Sequence, residues 1–308
     1  MSPSVRQAGV AVRGLGAGRS RPRTVLAARL GEYGGFLPVL VLFGGFFLAP
    51  LVLIVAYSFW QVVDYQVVRS WTVDNYRYFL SVPTYVRTFI ATLWMTGLAT
   101  LLTIAIAFPF AYWLTRYVSR AWQRPLLLLV IIPFWTSYLL RVTSWITILG
   151  EKGLVNRALE ALGLVHQPLS FLLYNRWAVI FVLVYLYFPF AALTLFSAFE
   201  RFDWTQLKAA MDLGAPPLTA IRRVMIPQVR PGLITAVIFV FIPVLGEYLT
   251  PQLVGGTDGV MIGNLVVNFF QGAQYTRGAA IALLIAVLAV AVLVLFRRSL
   301  VVEQVYGR

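Results

Sequence analysis

Residues 208–232 read KAAMDLGAPPLTAIRRVMIPQVRPG and lie between two long apolar runs, 177–199 and 232–254. In a chain that is 60% hydrophobic this stretch is short, basic and punctuated by glycine and proline, so what it builds decides how the runs around it are joined. Just upstream, Asp203 followed three residues later by Gln206 predicts a capping box, in which cap and N3 side chains satisfy orphan amides reciprocally. Trp204, Leu207 and Met211 recur at i, i+3 and i+7, an apolar stripe on a helix of about three turns. Gly214 supplies the left-handed C′ position that ends it. Pro216 biases Ala215 away from helix and Pro217 suits the first position of a second short helix. Leu218, Ile221 and Met225 give that helix its stripe before Pro227 interrupts. The expectation is a helix, turn, helix too polar to span a membrane and too well capped to be a linker. On physics alone, an amphipathic element lying on the membrane surface satisfies it.

Composition sets the class of the rest. A mean hydropathy of +0.82 with 12% charged residues is that of an integral membrane protein. Six runs are candidates for spanning: 36–59, 88–115, 125–148, 177–199, 232–254 and 278–296. A bilayer core needs roughly 20 apolar residues of helix. Four of the runs carry no charge, while the third holds Arg141 and the fifth Glu247. Each run is far longer than a barrel strand of about 10 residues and none alternates, so the spans are helical. Pro50, Pro109, Pro133, Pro189 and Pro243 inside them read as kinks. The predicted organisation is an Arg-rich tail over 1–35, a six-helix membrane domain over 36–298 with the polar element at 203–231, and a short tail over 299–308.

The first run is too long for the apolar part of a signal peptide and is expected to stay as an anchor. With both termini placed inside, alternate loops hold 17 Lys and Arg on the inner face and 7 on the outer. The positive-inside rule therefore favours six spans with both ends cytoplasmic. The net charge of +14 reports orientation and attraction to anionic lipid, not nucleic-acid binding. No cysteine is present, the lone His166 falls in a loop expected to be solvated, and neither Lys152 nor Lys208 sits in a phosphate-binding GxxxxGK[ST] loop. Thiolate metal sites, a HExxH protease and ATP hydrolysis through such a loop are excluded.

The stretch at 208–232 resembles the EAA motif of bacterial ABC importer permeases: Glu-Ala-Ala, three residues, Gly, nine residues, then Ile-x-Leu-Pro. Ala209 and Ala210 occupy the alanine positions, Gly214 the glycine, Val224 and Ile226 the two aliphatic positions and Pro227 the proline. Lys208 replaces the usual glutamate, which puts in doubt a charge contact from that position. The likeness extends over nearly the whole chain after residue 36 and is strongest to spermidine/putrescine-type permeases, through PLLLLVIIPFWTSYLLRVTSW (125–145), GLVNRALEALGLV (153–165), PQLVGGTDGVMIGNLV (251–266) and GAAIALL (278–284). It implies an all-α, MetI-like six-helix permease in the bacterial inner membrane, with a cytoplasmic coupling helix between the fourth and fifth spans. It further implies a second permease subunit, two cytoplasmic ATPases that bind the ATP and Mg, and an extracytoplasmic solute-binding protein. No cofactor belongs to this chain itself. Carried onto this sequence, the ATPase-coupling residues are Lys208, Ala209, Ala210, Asp212, Gly214 and Pro227.

Ionisable residues within spans cost about 2.5–3.5 kcal/mol each on insertion scales and usually face a bundle interior or a water-filled path. Arg141 and Glu247 both fall roughly 23 Å from the inner ends of their runs at 1.5 Å per residue. Either they pair and brace the third and fifth spans, or Glu247 faces the path and attracts a cation beside the ring faces of Trp135, Tyr138 and Tyr248, or Arg141 snorkels to outer headgroups. In the long loop at 149–176, Leu154, Ala158 and Leu162 predict a short interfacial helix or a contact for the binding protein. The favoured reading is polyamine import. Rivals are the same machine carrying iron, phosphonate, thiamine or a sulfate-like anion, and a secondary transporter, which would need more intramembrane carboxylates and an internal repeat.

Overall fold

A computed structural model describes residues 37–306, so the Arg-rich segment 1–35 lies outside the described residues. The chain falls into two units, Met1–Leu53 and Ile54–Arg308. Helix α1 (Pro38–Phe59) begins in the first and contains a π-wound segment at Gly44–Leu48, where the rings of Phe43 and Phe47 stack 5.5 Å apart.

In the second unit a hairpin follows at once, β1 (Gln61–Val63) pairing antiparallel with β2 (Gln66–Val68). This departs from an all-helical chain. Two QVV triplets flank Asp64 and Tyr65, whose φ values of 49° and 60° are the two positive angles of a type I′ turn. Helix α2 (Asp74–Ser81) is tied back by buried Asn75, whose amide donates to the carbonyls of Ser58 (2.9 Å) and Trp60 (2.7 Å). Helix α3 (Pro83–Tyr117) starts earlier than the apolar run because Pro83 takes its first position.

The third run is not one straight span. Helix α4 (Arg120–Ile131) continues as a 3₁₀ turn to Trp135, and α5 (Tyr138–Leu149) leaves at 92° to it. Pro133 removes an amide from the turn, Thr136 and Ser137 are extended, and the Thr136 hydroxyl closes on the Pro133 carbonyl at 2.6 Å. Helix α6 (Leu154–Ala161) is the short helix expected in this loop. It buries Asn156, which bonds Gly150 O and both polar groups of the Leu169 backbone, and leaves Leu154 and Leu162 exposed.

Helix α7 (Arg176–Glu200) is capped by Asn175, whose Oδ1 accepts the amides of Trp177 and Ala178. A short helix α8 (Trp204–Asp212) precedes α9 (Pro217–Leu245), which runs through Pro227 and Pro231 without a stop. Pro227 therefore does not end a second short helix. Immediately before it, Ile221–Met225 is π-wound and the Ile226 amide reaches Ile221 O, a wide turn that accommodates a ring and a missing donor. The fifth run breaks at Gly246, resuming as α10 (Leu249–Val254). Helices α11 (Ile262–Gln271) and α12 (Tyr275–Tyr306) complete the chain, so residues 299–306, expected as a tail, continue α12. Among the described residues, five helices (α1, α3, α7, α9 and α12) are long and apolar enough to cross a membrane, and there are six if the bent pair of the third run is counted as one span.

Helix α7 is the centre of packing, with α3 and α9 against it and α12 against α9 and α11. Lipid tails remove the hydrophobic drive for helix pairing, so close approach of backbones must supply the contact. Ala99, Ala107 and Ala111 of α3, Ala191 and Ala192 of α7 and Ala236 of α9 are completely buried. A Cβ on Gly232 would stand 2.3 Å from the Cβ of Ala198. Gly232→Leu should therefore force α7 and α9 apart, lowering the unfolding midpoint of detergent-purified protein at an over-packing cost of about 1–3 kcal/mol. Gly97→Leu, on the same kind of helix but facing open space, is the silent control. Wild-type stability in Gly232→Leu would refute the close approach.

Candidate functional site: a polar elbow and a broken helix

The elbow between α7 and α9 is built from its caps. Asp203 Oδ1 accepts the Thr205 amide at 2.9 Å, and that contact, with the Thr205 hydroxyl, holds its carboxyl below the usual carboxylate range. The reciprocal half of the expected capping box is missing. Gln206 approaches the Asp203 carboxylate instead and accepts from Gln228 of α9 at 2.7 Å, lacing the two helices together. Gly214 has φ +90°, its amide bonds Met211 O and the Ala215 amide bonds Ala210 O, which is a Schellman motif. Leu207 is buried and Trp204 packs among Tyr112, Phe199 and Phe202, with the Arg116 guanidinium 5.4 Å over its ring. Outward stand Lys208, Ala209, Asp212, Gly214 and Pro227, while Ala210 is half-buried. Leu213 and Leu218 at the turn are 89% and 76% exposed, far too apolar for a surface that meets only water. The second stripe is thus shared: Met225 is buried, Leu218 is not.

The second site is the break at Gly246. Glu247 is buried, and its carboxylate has four donors. Oε1 accepts the amides of Leu249 (3.0 Å) and Thr250 (3.2 Å), the unsatisfied start of α10, where a negative charge is favoured. Oε2 accepts the hydroxyls of Tyr138 on α5 (2.8 Å) and Tyr187 on α7 (3.2 Å). Thr250 Oγ1 lies 2.8 Å from the Tyr138 hydroxyl. Beneath the break, Asn264 Nδ2 donates to Tyr248 O at 2.8 Å, and a Cβ on Gly263 would meet the Glu247 carbonyl at 2.6 Å.

Arg141 and Glu247 do not form an ion pair. Tyr138 stands between them, its hydroxyl on Glu247 and its ring 5.6 Å from the Arg141 guanidinium, which packs more closely on Phe134 at 4.2 Å. The buried Nε of Arg141 has no acceptor. Trp135 is 83% exposed and Tyr248 half-exposed. Of the five path residues read from sequence, Tyr138 and Glu247 touch, Arg141 joins through the Tyr138 ring, and Trp135 and Tyr248 are exposed without a side-chain contact to the cluster among the described residues. Sequence reading missed Tyr187, Thr250 and Asn264. Pro243, Gly246 and Pro251 within one run were the available signal for a broken helix.

An all-helical membrane bundle with two broken crossings, one of them gathered on a buried carboxylate, is the build of a permease. Residues 25–302 match the family of binding-protein-dependent transport system inner membrane components, and the chain belongs to that family: it is a multi-pass inner-membrane subunit of an ABC importer. Among curated relatives, the spermidine/putrescine transport system permease protein PotB of Escherichia coli K12 is 34% identical over 257 residues, covering 82% of this chain and 92% of that protein. PotB of Haemophilus influenzae is 34% identical over 230 residues, 74% of this chain and 79% of that one. The fold is similar to that of a subunit of a bacterial ABC transporter that imports the acidic polysaccharide alginate, with a TM-score of 0.71 at 19% identity, covering 91% of this chain and 98% of that chain. It is also similar to one in the MetNI methionine transporter, with a TM-score of 0.52 at 19% identity, covering 70% of this chain and 94% of that chain.

The four-donor carboxylate makes a stability prediction. Glu247→Ala leaves two amides and the Tyr187 hydroxyl without their acceptor, Tyr138 keeping Thr250 Oγ1, and should destabilise the purified protein by about 3 kcal/mol or more. Glu247→Gln can keep the amide contacts through its oxygen and turn its NH₂ to the tyrosines, so its loss should be less than half as large. Equal unfolding midpoints for the two variants in detergent would show that the cluster does not hold the break.

Proposed function

We propose that the chain is the permease subunit of a polyamine importer, forming the translocation path with a second permease subunit. The observation that carries the cargo class is the carboxylate and tyrosine cluster at the broken fifth crossing, Glu247, Tyr138 and Tyr187, with Tyr248 next to Glu247 in the chain and Trp135 exposed just before the bend that leads to Tyr138. Ring faces and a carboxylate are the chemistry that accepts alkylammonium groups. The two PotB proteins, whose names specify spermidine and putrescine, support this reading. A half-buried Arg141 without a carboxylate partner is the one feature that favours an anion instead.

On this proposal the elbow at 203–231 faces the cytoplasm, as do both termini, and receives one of two ATPase subunits that bind ATP and Mg. Its support is the pair of exposed leucines at a rigidly capped turn, together with the match to the EAA spacing. A solute-binding protein delivers cargo to the opposite face. One solved neighbour of similar fold is an alginate transporter in complex with its ligand-bound periplasmic protein.

Two measurements test the proposal. In cells lacking other polyamine uptake, Glu247→Gln should lower accumulation of labelled spermidine about tenfold, the scale of one charge-assisted contact, with membrane-inserted protein unchanged. Wild-type uptake by that variant would remove Glu247 from the path, and uptake of sulfate or phosphonate in place of spermidine would reassign the cargo. Leu213→Asp should abolish co-purification of the ATPase and leave the unfolding midpoint as in wild type. Retained ATPase would move the docking surface elsewhere.

A further inference from the structure

One cavity, lined in part by the elbow's own Asp203, Trp204 and Thr205, holds charged groups that neither site uses. It measures about 840 Å³ and opens where α3 and α7 end and α4 and α8 begin. Phe196, Phe202 and Trp204 make its apolar part, and the rings of Phe202 and Trp204 are locked edge-to-face at 5.1 Å. Arg120 and Arg124 of α4 line it together with Glu200 and Asp203 at the end of α7 and the cap of α8. These groups share one cavity without joining. The ion pairs among the described residues are Arg77 with Asp74 and Arg176 with Asp258, both elsewhere. Asp203 is kept anionic by its capping contacts, and Glu200 is exposed. Gln123 is fixed by donating to Val118 O at 3.0 Å. Two guanidinium groups and two carboxylates thus sit around a space large enough for a ligand that carries both signs of charge.

The level of the cavity in the membrane follows from α4. Arg120, Arg124 and Leu128 fall at i, i+4 and i+8, on one face. Leu128 and Leu129 are exposed, and with lipid covering them Arg124 lies about 6 Å, one turn, nearer the headgroups. Tyr117 at the end of α3 and Trp122 in the first turn of α4 are both more than half exposed and are of the residue types that mark headgroup depth.

We propose that this cavity binds the zwitterionic phosphoethanolamine headgroup of a membrane phospholipid, its phosphate on Arg120 and Arg124 and its ammonium on Glu200 beside Asp203. A singly anionic glycerol headgroup would bring no cation for the carboxylates, and a quaternary ammonium has no N–H to donate. The lipid would bridge α4, the first half of the bent third crossing, to the elbow. This proposal rests on the permease reading only for the level of the bilayer. Its test reads lipid retention and not uptake, so the two can fail separately.

The full chain is purified, equilibrated with vesicles of phosphatidylethanolamine, phosphatidylglycerol and phosphatidylcholine in equal parts, and the retained lipid is measured by native mass spectrometry. Wild type should retain phosphatidylethanolamine about tenfold over either other lipid, the scale of one charge-assisted hydrogen bond. Arg120→Gln with Arg124→Gln, and separately Glu200→Gln, should remove that preference, whereas Glu200→Asp should keep it. Glu200→Gln should also raise retention of phosphatidylglycerol, a gain that general loss of structure cannot produce. Arg157→Gln on α6 is the control. Wild-type preference in the Arg or Glu200→Gln variants, equal retention of phosphatidylcholine, or binding of free phosphoethanolamine as tight as that of the lipid would overturn the proposal.

Discussion

A carboxylate inside an apolar bundle persists only when its oxygens are occupied, because an isolated buried charge loses far more in desolvation than packing returns. The Glu247 carboxylate meets that condition with two amides and two tyrosine hydroxyls, and the four donors come from three separate parts of the chain. The amides exist as donors only because α9 stops at Leu245 and α10 starts anew, so the break and the charge require each other. Tyr138 is available because the third crossing bends just before it, and Tyr187 because α7 is the central helix. The close approach of Gly263 and the Asn264 bond to Tyr248 O then place α11 beneath the same point. Removing the carboxylate leaves α5, α7 and α10 without their common acceptor.

The elbow and the break are ends of one helix. From Pro217 to Leu245 α9 has 29 residues, about 43 Å at 1.5 Å per residue. Besides the π-wound segment at Ile221–Met225 it carries Pro227, Pro231 and Pro243, each of which lacks the amide that would close a backbone hydrogen bond. The Schellman turn at Gly214 and the Gln206 to Gln228 bond stiffen the elbow itself.

What sequence reading could and could not see follows from the range of each signal. Apolar runs of about 20 residues identify crossings because the bilayer imposes their length. The turn at Gly214 was legible because a positive φ and a following Pro-Pro leave the backbone few options. Pro227 was misread because a proline rule is local, whereas the π turn that accommodates it is a property of the preceding five residues. Breaks in the third and fifth runs vanish under a hydropathy average, although Pro133 and the group Pro243, Gly246 and Pro251 mark them. Placing Arg141 and Glu247 at equal depth suggested a pair, yet both turn to Tyr138, one to its ring and one to its hydroxyl. Tyr187 carried no signal at all, since nothing in an apolar run separates one tyrosine from another.

Saturation of Glu247 also bears on how a cation would pass. On the proposed cation path, an ammonium reaching the cluster would have to displace the hydroxyl of Tyr138 or Tyr187 from Oε2, while the two amides keep Oε1 in place. Each hydrogen bond to a charged group is worth roughly 1.5–3 kcal/mol, and the displaced hydroxyl can turn to Thr250 or to the cargo. The exchange is then close to balance, which is what a conducting site needs: attraction strong enough to admit the cation and weak enough to release it.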